Sequence, residues 1–193
     1  MKSICVYCGS STGASPVYTE AAKALANQFV ANDIALVYGG GNVGLMGVIA
    51  DEVMRLGGQA TGVIPQALMN KEVGHTGLSK LHIVSNMHER KAMMADLSDG
   101  FIAMPGGVGT LEELFEVFTW AQLGFHTKPI GVLNVDGFYD SLIAFLNHTV
   151  QSRFLKAEHL AMLFNEAEPE KLVQRFRQYQ PVLVDKWLKK QDL

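Results

Sequence analysis

Short runs of continuously apolar residues alternate with amphipathic helical segments along almost the whole chain. Strands that are apolar on both faces are typical of a parallel sheet covered by helices on both sides. The alternation predicts an α/β fold, a single-domain, doubly wound (Rossmann-like), mostly parallel sheet with helices on both faces. The predicted strands are Ile4–Cys8, Ile34–Tyr38, Ala60–Ile64, Leu81–Val84, Phe101–Met104 and Pro129–Val135. The predicted helices lie near Pro16–Asn32, Leu45–Leu56, His88–Leu97, Leu111–Leu123, Phe138–Phe154 and Pro169–Tyr179.

The bulk composition limits the classes of protein to which the chain can belong. Its 193 residues suit one domain, which we expect to span residues 1–193 with a flexible or peripheral tail at 180–193. A net charge of −3 argues against a nucleic-acid surface. No apolar run reaches the ~18 residues that a membrane span requires. The N-terminal apolar run is too short for a signal peptide, so we expect a cytoplasmic protein with no nucleic-acid or membrane partner.

The two cysteines, Cys5 and Cys8, form a C-x-x-C sequence in the first predicted strand. This spacing also occurs in redox and metal motifs. On a strand, an odd spacing places the two side chains on opposite faces, and the sequence has no second cysteine pair for a zinc site. We interpret both cysteines as core thiols and expect neither a metal nor a cofactor.

Ligands of doubly wound folds bind beyond the carboxyl ends of the strands. Four predicted loops at these ends are rich in glycine, hydroxyl groups or cations: Gly9–Ser11, Gly39–Gly44, Asn86–Lys91 and Pro105–Thr110. The second of them matches the dinucleotide fingerprint G-x-G-x-x-G, but the next strand ends without the acid that holds the ribose. A dehydrogenase is therefore a distant alternative, and no Walker A sequence is present.

The segment Met104–Glu113, MPGGVGTLEE, joins a predicted strand to a predicted helix through three glycines. Glycines there leave backbone amides bare at the positive end of a helix dipole, which favours an anion such as phosphate. Glu112 and Glu113 would lie in the first helical turn and repel that anion. A capping box, with Thr110 as N-cap and Glu113 reaching back to it, explains Glu113 without any function but does not explain the glycines.

A cationic segment, His88–Lys91, follows the fourth predicted strand. Arg90 carries a planar fork suited to phosphate and Lys91 adds a compact charge, although cations in a first helical turn oppose the helix dipole. Their position is poor for stability and suits an anion. Met87 and two further methionines flank them, which indicates core filling or an apolar wall for a flat base or a prenyl group.

Two separated motifs give the chain a family resemblance. Pro105–Glu113 resembles the PGGxGTxxE motif, and Met87–Lys91 the MHxRK motif, of the LOG ("Lonely guy") family of cytokinin riboside 5′-monophosphate phosphoribohydrolases. The resemblance covers nearly the whole chain, and one departure is Asn86, where many members have Asp. Many members were long labelled lysine decarboxylases, but no lysine here lies in a recognisable pyridoxal-phosphate context.

The resemblance implies a hydrolase of N-glycosidic bonds that releases adenine, or an N6-modified adenine, and ribose 5-phosphate from nucleoside 5′-monophosphates. Arg90 and Glu113 would be its catalytic pair, and the protein would be a homodimer with its sites near the subunit interface. The substrate-binding residues that the resemblance implies are Glu72, Lys91, Gly107, Val108, Gly109, Thr110, Leu111, Glu112 and Thr119. The glycine-rich loops at the strand ends add Ser10 and Gly41, and the apolar wall for a base adds Met87.

The residues fit this chemistry independently of the resemblance. Glycosidic cleavage passes through an oxocarbenium-like state, which a carboxylate such as Glu113 stabilises while amides and cations hold the phosphate. Arg90 cannot act as a general acid near neutral pH, and Glu112 is a candidate for that role. Two alternatives stay open: a nucleotide-binding or carrier module without hydrolase activity, and a general AMP nucleosidase in salvage.

Overall fold

The computed structural model describes residues 1–69 and 74–181, and these form a seven-stranded, fully parallel sheet between two layers of helices. The strands are β1 Ser3–Tyr7, β2 Ala35–Tyr38, β3 Ala60–Pro65, β4 Lys80–Val84, β5 Phe101–Ala103, β6 Ile130–Leu133 and β7 Leu163–Glu166. The helices are α1 Val17–Ala31, α2 Gly44–Arg55, α3 Gln66–Met69, α4 Met87–Asp96, α5 Val108–Gln122, α6 Asp140–Gln151, α7 Ala157–Leu160 and α8 Pro169–Gln178. The predicted fold class is confirmed.

The strand order is β4-β3-β2-β1-β5-β6-β7, so the direction of winding reverses between β1 and β5. Cys5–Tyr7 of β1 pairs with Phe101–Ala103 of β5, while the other edge of β1 pairs with β2. Loops that leave adjacent strands at such a reversal diverge to opposite faces and open a crevice between them. The crevice lies between the Gly9 and Pro105 loops.

Apolar side chains on the two faces of the sheet form two separate cores. One core contains residues of α1, α2 and α8, and the other contains residues of α4, α5 and α6. Cys8 belongs to the first core and Cys5 to the second, and both are buried and unpaired. The prediction that the two thiols lie on opposite faces is confirmed.

Among the strands and α-helices of the described residues, three were absent from the sequence prediction: β7 and the one-turn helices α3 and α7. Strand β7 lies at the edge of the sheet and has only four residues, of which Leu163 is buried and Asn165 is exposed. Such a short mixed segment carries little periodic signal. Most of the predicted tail, residues 182–193, lies outside the described residues, so the tail stays a prediction.

Gly44, which begins α2, has a backbone conformation and surroundings that only glycine fits. Its φ is +56°, and a Cβ atom there would lie 2.2 Å from the carbonyl carbon of Ser10. The adjacent amide of Leu45 donates to the Gly9 carbonyl at 3.0 Å. The start of α2 is therefore pressed against the loop that follows β1.

Gly44→Ala should lower the free energy of unfolding by about 3 kcal/mol or more, because it adds a backbone clash to the strain of a left-handed conformation. Gly57→Ala is the matched control: Gly57 also has a positive φ, +80°, but has no atom within 4 Å of its Cβ position. It should cost only about 1 kcal/mol. Denaturant unfolding measures both, and equal losses would contradict the clash.

Candidate active site

A cavity of about 300 Å³ opens at the carboxyl edge of the sheet, beside the reversal between β1 and β5. The amide of Gly9 donates to the Pro105 carbonyl at 3.1 Å, which ties the loops after β1 and β5 together. We call this cavity the main lobe. It is lined by Cys8, Gly9, Ser10, Met46, Met87, Arg90, Gly107, Val108, Gly109, Thr110, Glu112 and Glu113.

Helix α5 begins one turn earlier than the sequence indicated. Its first residue is Val108 and its N-cap is Gly107, whose position has no side-chain cap. Thr110 is the third helical residue and is buried, so the alternative explanation by a capping box, with Thr110 as N-cap, is wrong. Glu113 consequently lies in the second turn rather than the first, and its position is not explained by helix capping.

Because α5 starts early, its first backbone amides lie beside the main lobe. The first amides of a helix have no partner within the helix and carry its positive dipole. A Cβ atom on Gly107 or on Gly109 would meet nothing within 4 Å, so both open toward space. Gly106 is different, because a Cβ atom there would lie 2.2 Å from the Thr110 hydroxyl oxygen. This turn can hold an anion close to the backbone.

The Arg90 side chain of α4 is only about 9% exposed and extends across the floor of the main lobe. A Cβ atom on Gly39, at the end of β2, would lie 2.0 Å from Arg90 Nη2, so this glycine makes room for the guanidinium. Arg90 Nη1 contacts Met87 Sδ at 3.7 Å, and Nη2 lies 3.8 Å from Glu113 Oε1. Arg90 Nε is buried without a hydrogen-bond partner among the described residues. A buried donor of this kind favours an acceptor on a bound ligand.

Glu113 is a buried carboxyl whose pKa is raised. Burial raises the pKa of Glu113 from its ordinary 4.5 to about 7, while the charges of Arg90 and Lys91 act against this rise. The nearby carboxylates Glu112 and Glu116 add to it. A carboxyl with a pKa near neutrality is suited to proton transfer at physiological pH.

Lys91 lies between two carboxylates of α5. Its Nζ contacts Glu112 Oε1 at 2.6 Å and Glu116 Oε1 at 2.9 Å. Burial alone would lower the pKa of Lys91, but the hydrogen bonds to Glu112 and Glu116 outweigh it and raise that pKa. Lys91 is therefore charged, and it is not among the described residues that line the main lobe.

Asn86, the departure from the family motif, is the N-cap of α4. Its side-chain oxygen accepts from the Glu89 amide at 2.9 Å, and the Glu89 carboxylate accepts from the Ser85 amide at 2.9 Å. Asn and Asp are about equally good N-caps. Asn86 thus fixes the start of the helix that carries Arg90, as an Asp would.

A second lobe of about 280 Å³ adjoins the main lobe across Gly9, Ser10 and Gly107. Its additional lining comes from the loop after Ser10 and from apolar side chains: Ser11, Thr12, Gly13, Tyr18, Leu45, Pro105, Gly106 and Phe138. The rings of Tyr18 and Phe138 meet edge to face at 5.9 Å. The two lobes share Gly107, the N-cap of α5, and so meet at the start of that helix.

The structure gathers most of the predicted site residues but not all. Ser10, Met87, Arg90, Gly107, Val108, Gly109, Thr110, Glu112 and Glu113 line the main lobe. Leu111, Lys91, Thr119 and Gly41 are not among its described lining residues; Thr119 is exposed on α5, and Gly41 bridges Gly74. Glu72 lies outside the described residues.

Sequence reasoning missed Cys8, Met46 and Glu116. Cys8 was interpreted only as a core thiol, and Met46 is an apolar side chain without a motif of its own. Glu116 had one, since it is four residues from Glu112 and therefore lies on the same face of α5. Among the described residues, no group of three acidic, histidine or cysteine side chains could hold a metal ion, and no helix is long and apolar enough to cross a membrane.

The raised pKa of Glu113 has a consequence for stability. The folded protein binds this proton more tightly than the unfolded chain does, so the free energy of unfolding falls as pH rises from 4.5 to about 7. Glu113→Gln removes this loss and should become more stable relative to the unmodified protein across that range, by at most about 3 kcal/mol. Unfolding at several pH values measures the difference. The exposed Glu170→Gln is the control, and a pH-independent difference for Glu113→Gln would contradict the raised pKa.

Comparisons with known proteins show the family to which the chain belongs. A family model described as "Possible lysine decarboxylase" matches residues 46–176. Two relatives of Arabidopsis thaliana are named cytokinin riboside 5′-monophosphate phosphoribohydrolase. LOG7 is 48% identical over 180 residues, 93% of this chain and 83% of that protein. LOG5 is 47% identical over 181 residues, 94% of this chain and 79% of that protein.

Solved structures share the fold at lower identity. The molybdenum cofactor binding protein of Rippkaea orientalis has a TM-score of 0.69 and 21% identity, covering 92% of this chain and 97% of that one. The molybdenum cofactor carrier protein of Chlamydomonas reinhardtii has a TM-score of 0.69 and 18% identity, covering 91% and 96%. These two likenesses concern the fold alone. The identity to the phosphoribohydrolases over nine-tenths of the chain decides the family: the chain belongs to the LOG family of cytokinin riboside 5′-monophosphate phosphoribohydrolases.

Proposed function

We propose that this protein hydrolyses the N-glycosidic bond of adenosine 5′-monophosphates, with or without a substituent on N6, and releases the free base and ribose 5-phosphate. The observation that carries the proposal is the carboxyl of Glu113, buried with a raised pKa 3.8 Å from Arg90, beside a glycine turn of bare amides. The relatives named as phosphoribohydrolases support the same chemistry.

In the proposed complex the substrate phosphate binds the amides at the start of α5, from Gly107 to Thr110. Positive dipole and unpaired amides together suit a phosphate there. The phosphate then acts as a handle, because binding energy from this non-reacting group holds the ribose against Glu113. The exposed Ser10 hydroxyl, on the wall shared by both lobes, can add a hydrogen bond.

Glu113 has two tasks in the proposed mechanism. Its ionised form stabilises the positive charge that develops on the ribose as the bond between C1′ and the base breaks. It also accepts a proton from the water that adds to C1′, and a pKa near 7 suits such a general base. The electron pair of the broken bond leaves with the base, which takes up one proton, so nucleotide and water become base and ribose 5-phosphate.

Arg90 acts electrostatically in this mechanism, since a guanidinium does not give up its proton near neutral pH. Its unpartnered Nε supplies one donor for the substrate, and its charge stabilises the electron-rich leaving base or the phosphate. Glu112 is poorly suited as the acid, because its side chain is half exposed and bonded to Lys91. The proton that Glu113 takes from water is available to the departing base instead.

The apolar side chains that line the cavity select the base in this proposal. Met87 and Met46 line the main lobe, and flexible thioether side chains can accommodate a flat ring. A general AMP nucleosidase and a cytokinin-activating enzyme differ in whether the base carries a substituent on N6, which this apolar part of the cavity would have to accommodate. A carrier without hydrolase activity is the remaining alternative, but a phosphate receptor gains nothing from burying Glu113 beside its anion.

The proposal includes a homodimer in the cytoplasm. Thr119 is exposed on α5, away from the described lining of the main lobe, and Leu123 and Phe125 follow it with 46% and 71% of their surfaces exposed. Exposed apolar side chains of this size favour a protein interface. A second copy covering them would bring Thr119 toward a site at the interface. The unpaired thiols of Cys5 and Cys8 suit a reducing compartment.

The first test is incubation of the purified protein with AMP and, separately, with N6-isopentenyladenosine 5′-monophosphate, followed by chromatography for free base and ribose 5-phosphate. We expect release of base from at least one, with a rate that rises with pH through about 7 as Glu113 ionises. Glu113→Gln should turn over at least ~100-fold more slowly while it stays folded. Intact nucleotide in both reactions with folded protein would favour the binding module, and the ratio of the two rates decides between salvage and cytokinin activation.

Gly39→Ala should abolish most activity without unfolding the protein, because the added Cβ would displace the Arg90 guanidinium, whose Nη2 is 2.0 Å from that position. Arg90→Ala should lose activity to a similar extent. The double variant should be no slower than Arg90→Ala alone, since both changes remove the same group. Wild-type activity in Arg90→Ala would remove Arg90 from the mechanism.

A further inference from the structure

We propose that Lys91 is a positioning residue: it joins α4 to α5 through Glu112 and Glu116 and so sets Arg90 against Glu113, and it does not bind the substrate phosphate. The inference rests on the proposed function of the same site. It differs from the expectation of the sequence, in which Lys91 lines the substrate as a phosphate-binding cation.

The contacts of Lys91 leave little of it for a ligand. Its ammonium lies 2.6 Å from Glu112 and 2.9 Å from Glu116, and the side chain is only 12% exposed. An ammonium has three donors, so two of them are already used. The trio of one cation and two carboxylates has a net charge of −1, which repels a phosphate. The only member of the trio among the described residues of the main lobe is Glu112, an anion.

The spacing of Glu112 and Glu116 suits a clamp between helices. Residues four apart lie on the same face of a helix, so both carboxylates of α5 face the single ammonium of α4. Lys91 is thereby held from two points rather than one, which restricts movement along the α5 axis as well as across it. Because Lys91 and Glu116 are largely buried, solvent weakens the contact between them less than it weakens an exposed pair.

The distance between Arg90 and Glu113 depends on this clamp, because no hydrogen bond joins the two side chains. Arg90 Nη2 and Glu113 Oε1 are 3.8 Å apart, too far for a hydrogen bond. Arg90 precedes Lys91 on α4, and Glu113 follows Glu112 on α5, so the two cross-helix pairs move together. The shorter contacts are those of Lys91, and they set the separation of the longer pair. A displacement of about 1 Å at a reacting group can cost 100-fold in rate.

The test compares Lys91→Met, Glu116→Gln and the double variant by kcat and KM with AMP, by calorimetric binding of ribose 5-phosphate, and by thermal unfolding. We expect Lys91→Met to lower kcat at least tenfold while the Kd of ribose 5-phosphate changes less than threefold. Glu116→Gln should also lower kcat, at least threefold, although Glu116 is not among the described residues that line the main lobe. The double variant should be no slower than Lys91→Met, because both changes break one contact.

Lys128→Met is the matched control. Lys128 Nζ donates to the Ala95 carbonyl near the end of α4 at 2.8 Å, so this variant frees α4 at a point away from Arg90. Its kcat should stay within twofold of wild type. An equal loss in Lys128→Met would reduce the effect to general loosening of α4 and overturn the assignment.

A phosphate-binding role predicts the opposite result. Lys91→Met would then weaken ribose 5-phosphate binding tenfold or more, and Glu116→Gln would tighten it by freeing the ammonium. Either of these changes would overturn the proposal. If Lys91→Met does not fold, Glu116→Gln still distinguishes the positioning role from the phosphate-binding role, and it changes a more exposed side chain. If wild-type protein releases no base, the proposed function fails, while the ribose 5-phosphate titrations still decide whether Lys91 holds a phosphate.

Discussion

The backbone of Gly9 is the point on which the arrangement of the site depends. Its amide donates to the Pro105 carbonyl and its carbonyl accepts from the Leu45 amide, so one residue joins the loops after β1, β2 and β5. Both bonds exist only because β1 lies between β2 and β5 in a parallel sheet. Close approach of Gly44 to Ser10 adds to this contact. These contacts between backbone atoms position the cavity and the start of α5 without the help of side chains.

The position of the Glu113 carboxyl lowers the stability of the folded protein. Burial of Glu113 raises its pKa to about 7, and the nearest cation, Arg90, lies too far away to form a hydrogen bond with it. An apolar residue would suit the position better for folding alone. Positions at which stability and local rules conflict are typical of functional sites. The conflict at Glu113 is stronger evidence for catalysis than the motif that contains it, because the capping explanation has been removed.

The fold could be predicted closely from the sequence, while parts of the site could not. Continuous apolar strands and periodic helices predicted six strands and the major helices, because these signals are local. Strand β7 was missed since its pairing with β6, and not its own pattern, makes it a strand. The start of α5 was misplaced by three residues, because Thr110 is a good N-cap by type, yet its side chain is buried under Gly106.

By itself the sequence determined the fold class and the loops that meet at the carboxyl edge, since apolar periodicity and motif spacing are properties of the chain. The proposed catalytic pair comes from the family resemblance and stays a prediction. The tertiary structure decided which groups each charged side chain contacts. Arg90 and Lys91 are neighbours of the same charge, but one lies over Gly39 in the cavity and the other between Glu112 and Glu116. Successive residues of a helix point about 100° apart, and only the packing of α4 against α5 determines which side chain meets the cavity and which meets a carboxylate.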